Sequence, residues 1–325
     1  MMKKLLLMFF SLVLLVGLGF AGYGYVKYQN MVERWYMPLE PGEYAGEKKN
    51  KPPAEEKVEL APFTVLLLGV DSREGEKKSR SDTIMLAAVH PKNQKAVLMS
   101  IPRDTLADIP GYGQDKFNHS MFYGGPPLVK QTMENFFDIK VDHYAAVDFD
   151  GFIKIVDALG GVEVNVKRRM KYHDPVDGTS IDLQPGLQLL DGENALDYAR
   201  FRKSDIGSAA SDFDRMDRQQ EIIRKIADKA TELSSVFKVF KMMDILGEHV
   251  KTDFTEEKIR GLFLQFRNFS SSSIKSVEIQ GTNRRIPMHG YNLWFYLVDQ
   301  EERNRIKTII EDTLAGSEPN VTTAK

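Results

Sequence analysis

Phe63-Thr64-Val65-Leu66-Leu67-Leu68 is a continuous apolar run that ends in Gly69-Val70-Asp71. A run without polar alternation reads as a strand buried on both faces, as at the centre of a sheet covered by helices. Working outward, Thr83-Ile84-Met85-Leu86-Ala87-Ala88-Val89 is a second strand, Pro91-Lys92-Asn93-Gln94 a turn, and Ala96 to Ile101 a third strand. Leu128 to Phe137 is expected as a helix and Tyr144 to Phe149 as extended chain. Asp150 to Leu159 is an amphipathic helix stopped by Gly160-Gly161, and Val162-Glu163-Val164-Asn165-Val166 alternates as a strand. Helices alternating with strands imply an α/β fold: a layered domain with a central mixed β-sheet flanked by helices.

The remainder of the 325-residue chain is organised around that domain. Met1-Met2-Lys3-Lys4 leads into an uncharged stretch from Leu5 to Val26, long enough as a helix to span a bilayer. Lysines before the span favour a cytoplasmic N-terminus, so residues 1–4 are expected as a cytoplasmic tail and 5–26 as a single transmembrane helix. A cleaved signal peptide has a shorter apolar core, and Tyr23, Tyr25 and Tyr28 suit an interfacial belt. Gly17-Leu18-Gly19-Phe20-Ala21-Gly22 spells a dinucleotide fingerprint, but inside a membrane span it lacks the strand and the acidic residue that the motif needs. Residues 27–61, with Pro38, Pro41, Pro52 and Pro53, read as an extracytoplasmic linker. The main globular part is expected over 62–232. Residues 233–315 read as a further α/β portion packed on the same domain, and 316–325 as a frayed tail.

Composition removes several function classes. Lys plus Arg is 44 and Asp plus Glu is 46, a net charge of −2, which argues against a nucleic-acid coat. Cysteine is absent, which excludes disulfides, Cys-ligated zinc, Fe–S clusters and a thiol nucleophile. His143 and His173 have no partners at metal-ligand spacing and read as structural or surface residues. The charged residues that remain cluster at strand ends. Asp71 follows the first strand, Asp82 opens the second, and Pro102-Arg103-Asp104 ends the third. In Tyr198-Ala199-Arg200-Phe201-Arg202, read as extended chain, Arg200 and Arg202 share a face. Asp212-Phe213-Asp214-Arg215-Met216-Asp217-Arg218-Gln219 leads into a helix with Asp214 as the expected N-cap. On that helix Arg215, Arg218 and Gln219 lie at i, i+3 and i+4. Carboxylates hold hard cations and arginine forks bind phosphate oxygens; a solvated salt-bridge network is the competing reading of the same residues.

Several blocks resemble the LytR-CpsA-Psr family of bacterial enzymes that attach anionic glycopolymers to peptidoglycan. They are Leu66-Leu67-Leu68-Gly69-Val70-Asp71-Ser72-Arg73, Arg80-Ser81-Asp82-Thr83, Ser100-Ile101-Pro102-Arg103-Asp104 and Ile109-Pro110-Gly111-Tyr112-Gly113 with Lys116-Phe117-Asn118. Val147 to Phe152, Asp157 to Val162, Leu189 to Leu196 and Tyr-Ala-Arg-x-Arg at 198–202 continue the likeness in order, over residues 62–230. Two positions depart from the pattern. Asp214 stands where the family carries Gly before the helix arginine, and His119 replaces a small residue after Asn118. A carboxylate at 214 would repel a pyrophosphate unless it caps the helix or meets a cation.

The resemblance implies a membrane-anchored phosphotransferase, its catalytic domain outside the cell membrane of a Gram-positive bacterium. Its donor is a polyprenyl-pyrophosphate-linked glycopolymer such as wall teichoic acid, and its acceptor is a hydroxyl of peptidoglycan. Asp71 and Asp82 are then expected to hold Mg²⁺, with Mn²⁺ as an alternative. Arg103, Arg200, Arg202 and Arg215, with Gln219, clamp the pyrophosphate; Asp82, Arg103, Arg200 and Arg202 are the catalytic candidates. No nucleic-acid partner is expected. Two other classes stay open on the sequence: a non-catalytic polyprenyl-phosphate-binding or regulatory wall protein, and a Mg²⁺-dependent polyprenyl-pyrophosphate hydrolase. Phe136, Phe152, Ile153 and Val156 are candidates to line a channel for the polyprenyl tail, against the simpler reading that they are core.

Overall fold

Side-chain alternation along the first strand sorts the core into two layers. β1 (Phe63–Val70) sends Leu66, Leu68 and Val70 to one side and Phe63, Val65 and Leu67 to the other, and both sides are covered. β2 (Ser81–His90) and β3 (Lys95–Ser100) repeat the division. Ile84, Leu86, Val97 and Met99 join the first layer; Met85, Val89, Ala96 and Leu98 join the second. The computed structural model describes residues 60–70, 81–231 save 176–177 and 208, 250–255, and 270–321 save 289. Scattered positions at 26, within 242–249 and within 258–265 are also described.

The sheet is mixed, as expected. β1 pairs antiparallel with β2 and parallel with β6 (His143–Asp148), and β2 pairs antiparallel with β3. Its edges are β11 (Val250–Thr252), antiparallel to β6, and β12 (Ile274–Val277), parallel to β3, giving six strands in the order β11-β6-β1-β2-β3-β12. Residues 250–252 and 274–277, from the stretch after residue 232, therefore supply both edges of the same sheet.

α1 (His119–Phe137) and α5 (Gln300–Leu314) cover one face with Val129, Met133 and Phe137, and with Ile306, Ile309 and Ile310. On the other face Ile223 of α4 (Asp212–Thr231) packs beside Phe254. A third cluster joins α2 (Phe149–Leu159), α3 (Gly192–Arg200) and α4 to β7 (Val162–Val166) and β9 (Ser180–Leu183), through Val156, Val164, Ile181, Tyr198 and Ile222. Gly192 lets α3 lie against α2, because a Cβ there would fall 2.3 Å from the Ile153 carbonyl oxygen. Three antiparallel hairpins are peripheral: β4 (Leu106–Ile109) with β5 (Gly113–Lys116), β8 (Met170–His173) with β9, and β13 (Thr282–Met288) with β14 (Tyr291–Leu297). β10 (Gly186–Leu190) pairs with β7.

Four expectations change. α1 starts at His119, not Leu128. It continues through a kink at Gly125, φ 66°, just before Pro126 and Pro127, the residues that hide its first turns from a propensity reading. Tyr198 to Arg200 is helical, not extended. Asp191 caps α3 by accepting from Asn194 N, and Ala195, Tyr198 and Ala199 form its buried stripe, so Arg200 is the last helical residue. Asp214 is not the N-cap of α4. Ser211 Oγ accepts from Asp214 N at 3.0 Å while Asp214 Oδ2 accepts from Ser211 N at 2.9 Å, a reciprocal capping box. Finally, residues 316–321 are tied down: Glu318 pairs with Lys95 and Lys275, and Val321 packs on the core. Among the described residues no helix is long and apolar enough to cross a membrane. The expected span lies, except for Val26, outside them.

Candidate active site

The carboxyl ends of β1, β3 and β6 and the start of β2 share one edge of the sheet, and the charged residues gather there. Arg103 leaves β3 and donates from an Nη1 to Asp82 Oδ1 at 3.2 Å. Its Nε stands 3.9 Å from Asp104 Oδ2, whose other oxygen accepts from Lys116 Nζ at 2.7 Å. The Asn118 backbone N–H donates to the Arg103 carbonyl at 3.2 Å, which sets the start of α1 against the same loop.

The N-terminus of α4 brings a second set. Arg215 Nη2 is 3.5 Å and Arg202 Nε 3.6 Å from Asp212 Oδ1. Gln220 Nε2 donates to Ser100 Oγ at 2.9 Å, fixing α4 to the end of β3. Arg215 is buried, and burial pushes its guanidinium down from the usual range. Asp212 opposes that shift, Arg103 adds to it, Asp82 opposes it, and Arg202 adds to it. Arg103 and Arg202 therefore each stand close enough to repel Arg215, which Asp82 and Asp212 attract.

Among the described residues, four buried polar atoms here have no hydrogen-bond partner: Arg103 Nε, Arg215 Nε, Asp212 Oδ1 and Asn118 Oδ1. A buried group left unpaired costs about 1–3 kcal/mol, so native structures keep few of them outside functional sites. Crowded cations with unused donors are what an incoming polyanion requires. Gln219 is buried one turn beyond Arg215 on α4.

Two arginines fall outside this group. Arg218 is buried and donates from Nε to the Tyr198 carbonyl at 2.7 Å and from an Nη2 to the Phe201 carbonyl. It satisfies the C-terminal carbonyls of α3, a structural task. Arg200 sits at the end of α3, 3.7 Å from Asp197 Oδ1 and 5.4 Å over the Phe149 ring. Asp197 is pushed up to about 6 by burial, against the pull of Arg200 and with help from Glu193 and Asp191.

Of the expected site residues, Asp82, Arg103, Arg202 and Arg215 are brought together, Gln219 flanks them, and Asp71 lies outside the described residues. Asp212, Asn118 and Lys116 were not singled out as site residues. Lys116 and Asn118 belong to the family-like Lys116-Phe117-Asn118 run, and Asp212 lies three residues before Arg215. Among the described residues no three His, Asp or Glu side chains converge as a metal cluster. His143 is a structural residue: it stacks on Phe254 at 4.2 Å and faces Asp253. Phe136, Val156 and Phe152 belong to the core clusters, which favours the simpler reading of the channel candidates.

The LytR_cpsA_psr family pattern matches residues 39–312. The chain belongs to that family. It is 34% identical to the polyisoprenyl-teichoic acid--peptidoglycan teichoic acid transferase TagU of Halalkalibacterium halodurans, over 94% of this chain and 97% of that protein. Among solved structures it is similar to Bacillus subtilis TagV, with a TM-score of 0.66 and 29% identity, over 80% of this chain and 99% of the other. It is also similar to TagT bound to LIIa-WTA, with a TM-score of 0.63 and 30% identity, over 84% of this chain and 98% of that one.

Proposed function

We propose that this member of the family is a phosphotransferase that moves a teichoic-acid-type anionic glycopolymer from a polyprenyl-pyrophosphate carrier to a hydroxyl of peptidoglycan. The observation that carries the reading is a pair of buried guanidinium nitrogens, Arg103 Nε and Arg215 Nε, that take no hydrogen bond among the described residues, with Arg202 beside them on Asp212. The TagU relative carries this activity in its name, and a similar structure is TagT bound to LIIa-WTA.

The hydroxyl oxygen attacks the phosphorus nearest the sugar, forming a new P–O bond. The P–O bond to the second phosphate breaks, and polyprenyl phosphate leaves with that electron pair. The hydroxyl proton passes to Asp82 or Asp104, the carboxylates flanking Arg103. Phosphoryl transfer needs positioning and charge stabilisation above all. Arg103, Arg202 and Arg215 supply planar forks for the non-bridging oxygens and Gln219 a neutral donor, while Arg200, engaged with Asp197 and Phe149, is not assigned a phosphate. Asp214 does not face the phosphates as a free charge, because its carboxylate is spent on the capping box.

Asp82 leaves one carboxylate oxygen for a hard cation. Asp82 Oδ2 takes no hydrogen bond among the described residues, and carboxylate oxygens are Mg²⁺ ligands. In this reading Asp82, together with Asp71, holds Mg²⁺, with Mn²⁺ as a substitute. What such an ion supplies there is neutralisation of pyrophosphate charge. The lysine-flanked stretch 5–26 anchors the enzyme in the cell membrane with the catalytic domain outside.

Incubating the full chain in vesicles with a polyprenyl-pyrophosphate-linked sugar, Mg²⁺ and peptidoglycan oligomers, then reading products by mass spectrometry, tests this. The expected product is a phosphodiester-linked sugar–peptidoglycan adduct. Free sugar phosphate without adduct would make the chain a hydrolase, and intact donor would leave it a binding protein.

A further inference from the structure

We propose that the β13–β14 hairpin is a membrane-interface finger that seats the site against the bilayer. The inference rests on the phosphotransfer reading above, in which the donor's pyrophosphate is presented at a lipid surface.

The hairpin is rooted in the site. Tyr296 N donates to the Asp104 carbonyl at 2.9 Å, and Thr105 and Tyr296 form a parallel bridge. Tyr296 packs edge-on against Phe213 of α4 at 5.5 Å and donates its hydroxyl to the Ile279 carbonyl at 2.9 Å. Lys116 Nζ lies 5.7 Å over the Phe295 ring. The finger thus leaves from the loop that carries Arg103 and Asp104.

From this base outward its cross-strand pairs change in a definite order. Arg284 faces Phe295 and Arg285 faces Trp294; then come Ile286 with Leu293, Pro287 with Asn292, and Met288 with Tyr291. The outer three pairs are apolar except for Asn292, and His289 and Gly290 join the last pair in sequence. The pairs behind them form a belt of two arginines and a tryptophan, with the Arg285 guanidinium 4.9 Å over the Trp294 ring. Trp294 is 52% and Tyr291 72% exposed. No Asp or Glu occurs from Ile279 to Val298.

An apolar tip behind which aromatic and basic residues form a collar is the composition of a lipid interface. The tip enters the acyl boundary, while Trp and Arg meet the headgroups. Three pairs reach about 10 Å, the depth of such insertion. Two arginines on a hairpin whose own sequence has no carboxylate complement anionic headgroups. A polyanion in solution would be served by the collar but gains nothing from Ile286, Leu293 and Met288. The connection permits this orientation: residues 27–59 lie between the expected anchor and Leu60, and reach at most about 110 Å.

The chain has two tryptophans, so Trp35→Phe leaves Trp294 as the sole indole reporter. That full-length variant is placed in phosphatidylglycerol–phosphatidylcholine vesicles whose acyl chains are brominated near the headgroup. Trp294 emission is expected to fall by about half relative to unbrominated vesicles, as for an indole at the interface. Adding Arg284→Glu and Arg285→Glu should restore it, with an unchanged melting profile. Emission equal in both vesicle types overturns the proposal. So does emission that responds to soluble polyglycerol phosphate and not to bromine, which would make the hairpin a polymer contact. Adduct formation in the same vesicles separates the two ideas: transfer without bromine quenching removes the finger alone, whereas quenching without transfer removes the phosphotransfer reading.

Discussion

Asp82 illustrates how one side chain serves two charges. It is half-exposed, one oxygen accepts from Arg103 at 3.2 Å, and the other is unused among the described residues. An exposed ion pair is worth little to stability, so its value lies in what it presents to a ligand. Asp82→Asn keeps the shape and a hydrogen-bond acceptor while removing a charged oxygen donor. Its melting temperature should stay within about 2 °C of the parent, consistent with a surface pair worth under about 1 kcal/mol. The Mg²⁺ concentration for half-maximal transfer should rise severalfold. An unchanged Mg²⁺ titration would take Asp82 out of the metal site.

At the scale of elements, the α3–α4 pair holds the arginines in place. Arg218 closes the end of α3, and Tyr198 donates its hydroxyl to Glu221 on α4 at 2.8 Å. Ser211 and Asp214 fix where α4 begins, and the bonds from Ser211 hold the Asp214 carboxyl below the usual range. Asp214→Ala opens the capping box and should cost about 1 kcal/mol, measured by denaturant unfolding. Asp197, on the inner side of α3, gives this pair a pH dependence. Its folded pKa of about 6 lies above the unfolded carboxylate value, so folding favours the protonated form. That contribution is complete below the unfolded pKa and is lost as pH rises through about 6. Asp197→Asn should therefore be more stable than the parent at pH 7.5 by about 1–2 kcal/mol, with the gap closing below about pH 5. Equal stability at both pH values would mean that Asp197 is solvated.

Across the whole molecule, what the sequence reveals follows from how local each signal is. β1, β2 and β3 are legible because central strands are unbroken apolar runs, and β7 because it alternates. β11 and β12 are too short to announce themselves and exist through their register with β6 and β3. Arg200 and Arg202 share a face only if residues 198–202 are extended. The Asp191 cap and the stripe of Ala195, Tyr198 and Ala199 override that local hint. Within the site, Asp82, Arg103, Arg202 and Arg215 were recognisable by residue type and motif. The enclosure of Asp212 Oδ1 and of Asn118 beside them is a tertiary fact without a local signature.

The central claim is that the guanidinium groups of Arg103, Arg202 and Arg215, gathered at one end of the sheet, stabilise a transferring phosphate. Arg215 tests it most directly, since it is the most enclosed of the three and Lys keeps its charge without the fork. The decisive measurement is the single-turnover rate of polymer transfer by Arg215→Lys at saturating donor, on protein shown to be folded. The account predicts a fall of about 10²–10³-fold, the loss expected when one charge-stabilising donor is removed. A rate within about threefold of the parent would contradict it, because a point charge would then do what the fork is held to do.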